Sequence, residues 1–198
     1  MHKLAPGIYL SSFDRSQECL SLVKENLVSL FFDGSVIKFN SKKDEYYPEV
    51  NTDLRKVSIC GLSQSIYCHP DDAIFKLKKI LDDDIGRLLS RYRKIFNLEV
   101  MNSDHDWIVM KYDEGCFFKD HRDDSAMFDR TISIIVYLND DYSGGEIEFP
   151  DFGILHKPKA GDVLFFPSAY SYVHNIKEIT KGTRYAVVNW FTFIKDKK

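Results

Sequence analysis

Long hydrophobic runs are missing from this chain. No apolar stretch reaches the roughly 20 residues that a membrane-spanning helix needs, and residues 1–10, which hold a Pro-Gly pair, lack the apolar centre of a secretory leader. The expectation is a cytoplasmic protein with no membrane attachment. Cysteine is scarce and dispersed: Cys19, Cys60, Cys68 and Cys116 form no Cys-x-x-Cys pair, so neither a thiolate zinc site nor a disulfide framework is signalled. Strong charge of either sign is absent too. At a formal net charge of −3 and a pI of about 6.1, the chain has no global basic field to gather nucleic acid, and no such partner is expected. No internal repeat or low-complexity segment interrupts it.

What is present is an ordinary globular balance, 44% apolar and 29% charged over 198 residues, enough for one domain with a sizeable core. A helix is predicted over residues 17–32, where Leu20, Val23, Leu27 and Leu30 recur at helical spacing, with Asp33-Gly34 as its stop and a short strand over 35–39. Residues 42–47 read as a surface loop. A long helix follows the His69-Pro70-Asp71-Asp72 start and runs to about Asn97 on a stripe from Ile74 to Phe96. Beyond residue 100 the character changes to β-branched and aromatic runs separated by Gly, Pro, Asn and Asp. Strands are expected at 107–112, 117–121, 131–138, 146–149, 154–157, 163–166, 172–176 and 185–193. The implied class is α+β: a jelly-roll barrel (double-stranded β-helix) over 101–198, with the helices of 1–100 packed on one sheet as a supporting region, all within a single domain 1–198.

Four residues stand out chemically. His121-Arg122-Asp123 closes a predicted strand, and residues two apart on a strand share a face, so the imidazole and the carboxylate can converge on one ion. His-x-Asp is common, however, and reads equally as part of a solvated charged face. His174 adds a second imidazole. Two His and one carboxylate form the facial set that leaves three iron positions open for a bidentate oxoacid and O2, whereas a structural zinc site closes all four of its positions. Arg184 follows after a turn at Lys181-Gly182. A guanidinium at the bottom of an apolar barrel needs an anion, supplied by a dicarboxylic cosubstrate or by an Asp or Glu of the chain in a buried salt bridge.

The order Tyr112, His121, Asp123, Tyr137-Leu138-Asn139, Gly144-Gly145-Glu146, His174, Arg184 and Trp190 resembles the prolyl 4-hydroxylase-type branch of the 2-oxoglutarate/Fe(II) dioxygenases over residues 107–194. The resemblance implies that His121, Asp123 and His174 are the iron ligands and that Arg184 pairs with the distal carboxylate of 2-oxoglutarate. It implies that Tyr137 donates to the same carboxylate and that Tyr112 lines the cosubstrate site; taken singly, both also fit as barrel aromatics. Arg130, Trp190 and Phe118 match substrate-side positions, with Trp190 equally placed as a core residue. Two departures appear. Arg184 stands where collagen-type enzymes have Lys, and Val188 stands where some relatives have a cosubstrate-contacting Thr. Asp123 separates the chain from halogenases, which carry a small residue there.

The implied activity is hydroxylation of an unactivated C–H bond with Fe(II), 2-oxoglutarate and O2, releasing succinate and CO2, with ascorbate as a candidate reductant. A prolyl residue in a peptide or protein is the implied substrate. A free amino acid or other small molecule is the alternative, and a non-catalytic barrel that senses metal or 2-oxoglutarate is a reading from a different class.

Overall fold

The computed structural model describes residues 1–34, 36–42, 45–51, 53–63, 69, 71–99, 101–103, 106–124 and 130–193. In chain order come β1 (His2–Ala5), β2 (Ile8–Ser12), helix α1 (Ser16–Asn26), β3 (Phe32–Asp33), β4 (Val36–Lys42), β5 (Glu45–Asn51), β6 (Arg55–Lys56), β7 (Ser58–Gly61) and helix α2 (Ala73–Ile95). The remainder is strand: β8 (Met101–Ser103), β9 (Ile108–Tyr112), β10 (Phe117–His121), β11 (Ile132–Tyr137), β12 (Ser143–Gly144), β13 (Ile147–Phe149), β14 (Ile154–His156), β15 (Asp162–Pro167), β16 (His174–Ile176), β17 (Ile179–Lys181) and β18 (Arg184–Phe193).

The strands form the expected jelly roll. A larger antiparallel sheet runs β1-β2-β15-β11-β18-β9-β7-β3, with β8 also on β18, and a smaller one runs β14-β13-β16-β10-β6. Side-chain alternation gives the larger sheet two different faces. From its central strands, Ile132, Ile134, Val136, Val163, Phe165, Tyr185 and Val187 join one buried cluster with Val23, Leu77, Leu81, Ile85 and Tyr92 of the two helices. The intervening residues Ile135, Tyr137, Leu164, Phe166, Ala186, Val188 and Trp190 join a second cluster with Ile147, Phe149 and Ile176 of the smaller sheet. The strands of the larger sheet therefore separate a helix-facing core from the space where chemistry can occur.

Helix α2 buries the predicted stripe at Leu77, Ile80, Leu81, Ile85, Leu89 and Tyr92, and its chain reverses just past the helix at Asn97, in the left-handed region with φ 50°. Its Tyr92 hydroxyl donates to the Gly7 carbonyl at 2.8 Å, tying the helix to the turn between β1 and β2. The structure corrects the first half in two places. The predicted helix over 17–32 stops at Asn26 and gives way to a 3-10 turn, Val28–Leu30, and to β3, which leaves Leu30 and Phe32 exposed. The predicted loop over 42–47 instead lies largely in the β4–β5 hairpin, paired from Val36↔Asn51 to Lys42↔Glu45; residues 43 and 44 are outside the described residues, as are Ser35, Cys68 and Pro70. β1, β2, β3 and β7 were missed because they are short and carry little alternation.

Leu81 is fully buried between α2 and the sheet. Leu81→Ala should cost about 2 to 5 kcal/mol of unfolding free energy through lost burial and a residual cavity. Chemical denaturation measures this, and a cost below about 1 kcal/mol would contradict the placement.

Candidate active site

The site begins with an irregularity in β10. Phe118 pairs with Ile176 but His121 pairs with His174, so three steps on β10 oppose two on β16. That bulge turns His121 onto the face that Phe118 occupies and sets it directly opposite His174; an unbroken register would have put Asp120 there. Asp120 instead accepts from Asn175 Nδ2 at 2.6 Å. The imidazoles of His121 and His174 lie 4.2 Å apart between ring centroids.

Asp123 does not share the strand as the sequence pattern suggested. β10 ends at His121, and Asp123 sits on the bend beyond it. Its segment is tied back by the Asp124 amide, which donates to the Ser168 carbonyl at 3.0 Å. The carboxylate itself accepts from Ser133 Oγ at 2.5 Å, and Ser133 Oγ lies 2.8 Å from Ser168 Oγ. One potential ligand atom from each of His121, Asp123 and His174 falls within 4.8 Å of the others. The Asp123 oxygens are 3.7 Å from His121 Nε2 and 3.8 Å from His174 Nε2.

Protonation favours a cation at this point. Each Nδ1 faces a backbone carbonyl, His121 that of Lys119 at 2.9 Å and His174 that of Tyr172 at 3.0 Å. Those contacts are satisfied when Nδ1 carries the proton and Nε2 the lone pair. Burial, helped by the adjacent His174, pushes His121 down to about 3. Burial works against the Asp123 anion, but the two imidazoles, Ser133 and Trp190 outweigh it and hold the carboxyl below its usual range.

A cavity of about 400 Å³ opens beside this triad, between the two sheets. Its walls include the apolar side chains of Ile108, Met110, Ile135 and Val188, and it is also lined by Arg184. Arg184 is 1% exposed, and its Nε and Nη1 meet no hydrogen-bond acceptor. Its guanidinium lies 4.8 Å from the Tyr112 ring centre and 5.0 Å from that of Tyr137. The hydroxyls of Tyr137 and Tyr142 are likewise buried without a partner. Gly145, at φ 68°, makes room here: a Cβ would stand 3.0 Å from Tyr142 Cε2 and 3.3 Å from Arg184 Cδ. The two phenols face the Arg184 guanidinium closely enough to favour its charge without reaching good hydrogen-bond geometry, and a guanidinium whose Nε and Nη1 lack acceptors, flanked by such phenols, suits a carboxylate. No Asp or Glu among the described residues forms an ion pair with Arg184, so the salt-bridge alternative lacks its partner.

Residues 107–192 match the family model of the 2OG-Fe(II) oxygenase superfamily. The chain carries a 2OG-Fe(II) oxygenase domain. The match to this domain covers β10, the bend after it and β16, which bear the triad, and β11 and β18, which bear Tyr137 and Arg184. Curated relatives include a PKHD-type hydroxylase of Synechococcus sp., 33% identical over 96 residues, which is 43% of this chain and 42% of that protein. Human prolyl 3-hydroxylase 2 is 40% identical over 68 residues, 32% of this chain and 10% of that protein. The alignments thus span less than half the length of these relatives. Among solved structures, a Trichoplax adhaerens prolyl hydroxylase in complex with a hypoxia inducible factor peptide fragment has a TM-score of 0.71 at 20% identity, over 94% of this chain and 83% of that one. A Pseudomonas putida prolyl-4-hydroxylase has a TM-score of 0.62 at 19% identity, over 95% and 93%. These likenesses show that the oxygenase domain and its flanking elements share the fold of those enzymes.

The candidate ligands, Tyr112, Arg184, Phe118, Arg130 and Trp190 line this cavity, and Tyr137 lies beside it against Arg184. Phe118, Arg130 and Trp190 also touch the triad: Phe118 stacks on His121 at 3.4 Å between ring centres, and Arg130 donates to the Asp123 carbonyl at 3.3 Å while lying 3.7 Å over the Trp190 ring. Sequence reasoning missed Ser133, Ser168, Tyr142 and Arg55. Two serines in apolar surroundings were a signal of buried hydrogen bonding, and the glycine pair next to Tyr142 marked a close approach.

Two outcomes follow from the triad. Ser133→Ala removes the donor that orients Asp123, and affinity for a divalent metal should fall about 10- to 100-fold by titration. His121 titrates near 6.5 when unfolded and near 3 when folded, so the native state binds fewer protons between those values. The shift costs nothing above pH 6.5 and destabilises the native state increasingly as pH falls from there toward 3. The thermal midpoint of metal-free protein should therefore drop on acidification through this window, less steeply in His121→Asn; equal slopes would contradict the assignment.

Proposed function

We propose that this protein is an Fe(II)- and 2-oxoglutarate-dependent hydroxylase acting on a prolyl residue of a peptide or protein. The observation that carries the reading is the pairing, in one cavity, of a three-ligand triad with a buried arginine whose Nε and Nη1 lack acceptors. A metal site alone would suit many roles. A second, cationic end suits a dicarboxylate that is gripped by the metal at one end and by arginine at the other.

In this reading His121 and His174 hold the iron through Nε2 and Asp123 through a carboxylate oxygen, with Ser133 occupying the carboxylate's Oδ2. Bound there, iron(II) with 2-oxoglutarate and O2 supplies oxidative decarboxylation to succinate and CO2 and inserts one oxygen into a C–H bond. Arg184 and the hydroxyls of Tyr137 and Tyr142 take the distal carboxylate, each charge-assisted bond contributing about 1.5 to 3 kcal/mol. Ile108, Met110, Ile135 and Val188 exclude water from the space between. Phe118, Arg130 and Trp190 form the wall next to the reacting bond. Support for a peptide substrate comes from the prolyl hydroxylases among the relatives and from the solved structure that carries a peptide.

A reducing, cytoplasmic setting is supported by the free, buried Cys19, Cys60 and Cys116; burial pushes the Cys19 thiol up to about 12, so it stays protonated. No helix among the described residues is long and apolar enough to cross a membrane.

Incubation with Fe(II), 2-oxoglutarate, O2 and proline peptides should yield succinate and a peptide heavier by one oxygen. His121→Ala should abolish both, and Arg184→Gln should raise the KM for 2-oxoglutarate about 10- to 100-fold. Unchanged turnover in His121→Ala would remove the metal assignment.

A further inference from the structure

The cavity is more cationic than the proposed cosubstrate requires. Arg55, Arg122, Arg130 and Arg184 all line it, and among the described residues Asp123 is the lone carboxylate that does. A divalent cation and a dicarboxylate would cancel each other's charge, and Asp123 offsets one arginine. Arg184 is accounted for by the distal carboxylate, and Arg130 by the Asp123 carbonyl and the Trp190 face. Arg55 is left over.

Its position is fixed by strand register. Arg55 pairs with Phe118 across β6 and β10, so the two side chains rise from the same face of the smaller sheet. The guanidinium lies 4.7 Å over the Phe118 ring, which stacks in turn on His121. From there it reaches across to the larger sheet, where Nη2 meets only the weak acceptor Met110 Sδ at 3.8 Å. Arg55 Nε is buried with no hydrogen-bond partner. No carboxylate among the described residues forms an ion pair with it. A desolvated guanidinium donor without an acceptor is costly unless a ligand supplies one.

We infer that Arg55 is an anion-recognising specificity residue, and that the substrate carries a carboxylate close to the prolyl C–H bond that is hydroxylated. This rests on the hydroxylase reading above. Substrate is favoured over cosubstrate because Arg55, on the smaller sheet, is only partly buried and shares the cavity wall with exposed Arg122. Arg184, by contrast, is buried on β18 inside the larger sheet. An acidic side chain beside the prolyl residue and a free carboxylate at the peptide's end share the required chemistry.

The test compares proline peptides that differ only at that carboxylate: Asp or Glu against Asn or Gln next to proline, and a free against an amidated C-terminus. The ratio of kcat/KM between acidic and neutral members is read from the gain of one oxygen. Wild type should favour one acidic series about 10-fold or more, and the favoured series identifies the carboxylate's source. In Arg55→Gln that ratio should collapse toward one, and Arg55→Lys should retain part of it. A ratio near one in wild type, an unchanged ratio in Arg55→Gln, or an effect confined to the KM for 2-oxoglutarate would overturn the inference. If no peptide is hydroxylated, the hydroxylase reading fails separately. Titration of the same peptides into the metal-loaded protein then decides: tighter binding of the acidic member, lost in Arg55→Gln, supports Arg55, and equal binding refutes it.

Discussion

In the larger sheet, β11 and β18 are buried on both faces, and a strand there has no freedom to slip. On β18 Tyr185 and Val187 pack toward the helices while Arg184, Ala186, Val188 and Trp190 face the cavity. A shift of one residue would exchange the two sets, driving Arg184 into the helix-facing core among Leu81 and Ile85 and removing it from the cavity. The apolar surface that α1 and α2 cover thus does more than stabilise the domain. It pins the register that keeps Ser133 at one end of the β11 cavity face and Tyr137 at the other, four residues apart and so about 13 Å along the strand.

Against that rigid sheet, the smaller one departs from regularity where the metal ligands are. The bulge in β10 brings His121 opposite His174, and the bend beyond it frees Asp123 to approach from a third direction. Neither irregularity would hold without compensation. Asp123 is fastened through Ser133 and Ser168, which come from β11 and the segment after β15, so the larger sheet supports the ligand that the end of β10 in the smaller sheet delivers. The hydrogen bonds on both Nδ1 atoms settle which imidazole nitrogen is offered. The result is two neutral-type donors and one anion facing an apolar space, an arrangement that favours a divalent cation over water.

Much of this was legible from residue order. The strands after residue 107 announced themselves through β-branched and aromatic runs, and α2 through a stripe long enough to outweigh its many charges. The candidate triad could be picked from His121, Asp123 and His174, and the proposed cosubstrate end from Arg184, because those residue types are costly inside a barrel unless employed. A bulge and a bend, not the strand alternation that the His-x-Asp spacing suggests, unite His121 and Asp123. Bulges leave little trace in a single sequence. Arg55 was invisible for a different reason: nothing in its neighbourhood distinguishes it from a surface arginine until β6 is seen to pair with β10. Tyr142 was hidden in a turn, and the first helix was overextended because Leu27 and Leu30 continue a period that the backbone abandons.

The central claim is that one cavity binds a divalent metal at the triad and a dicarboxylate between that metal and Arg184. Loading the protein with Fe(II) and one equivalent of 2-oxoglutarate without O2, then admitting O2 and quantifying succinate, tests it most directly. 2-Oxoglutarate should bind only when the metal is present, followed by succinate approaching one equivalent per site. Binding that is indifferent to the metal, or a loaded protein that forms no succinate when O2 is admitted, would contradict it.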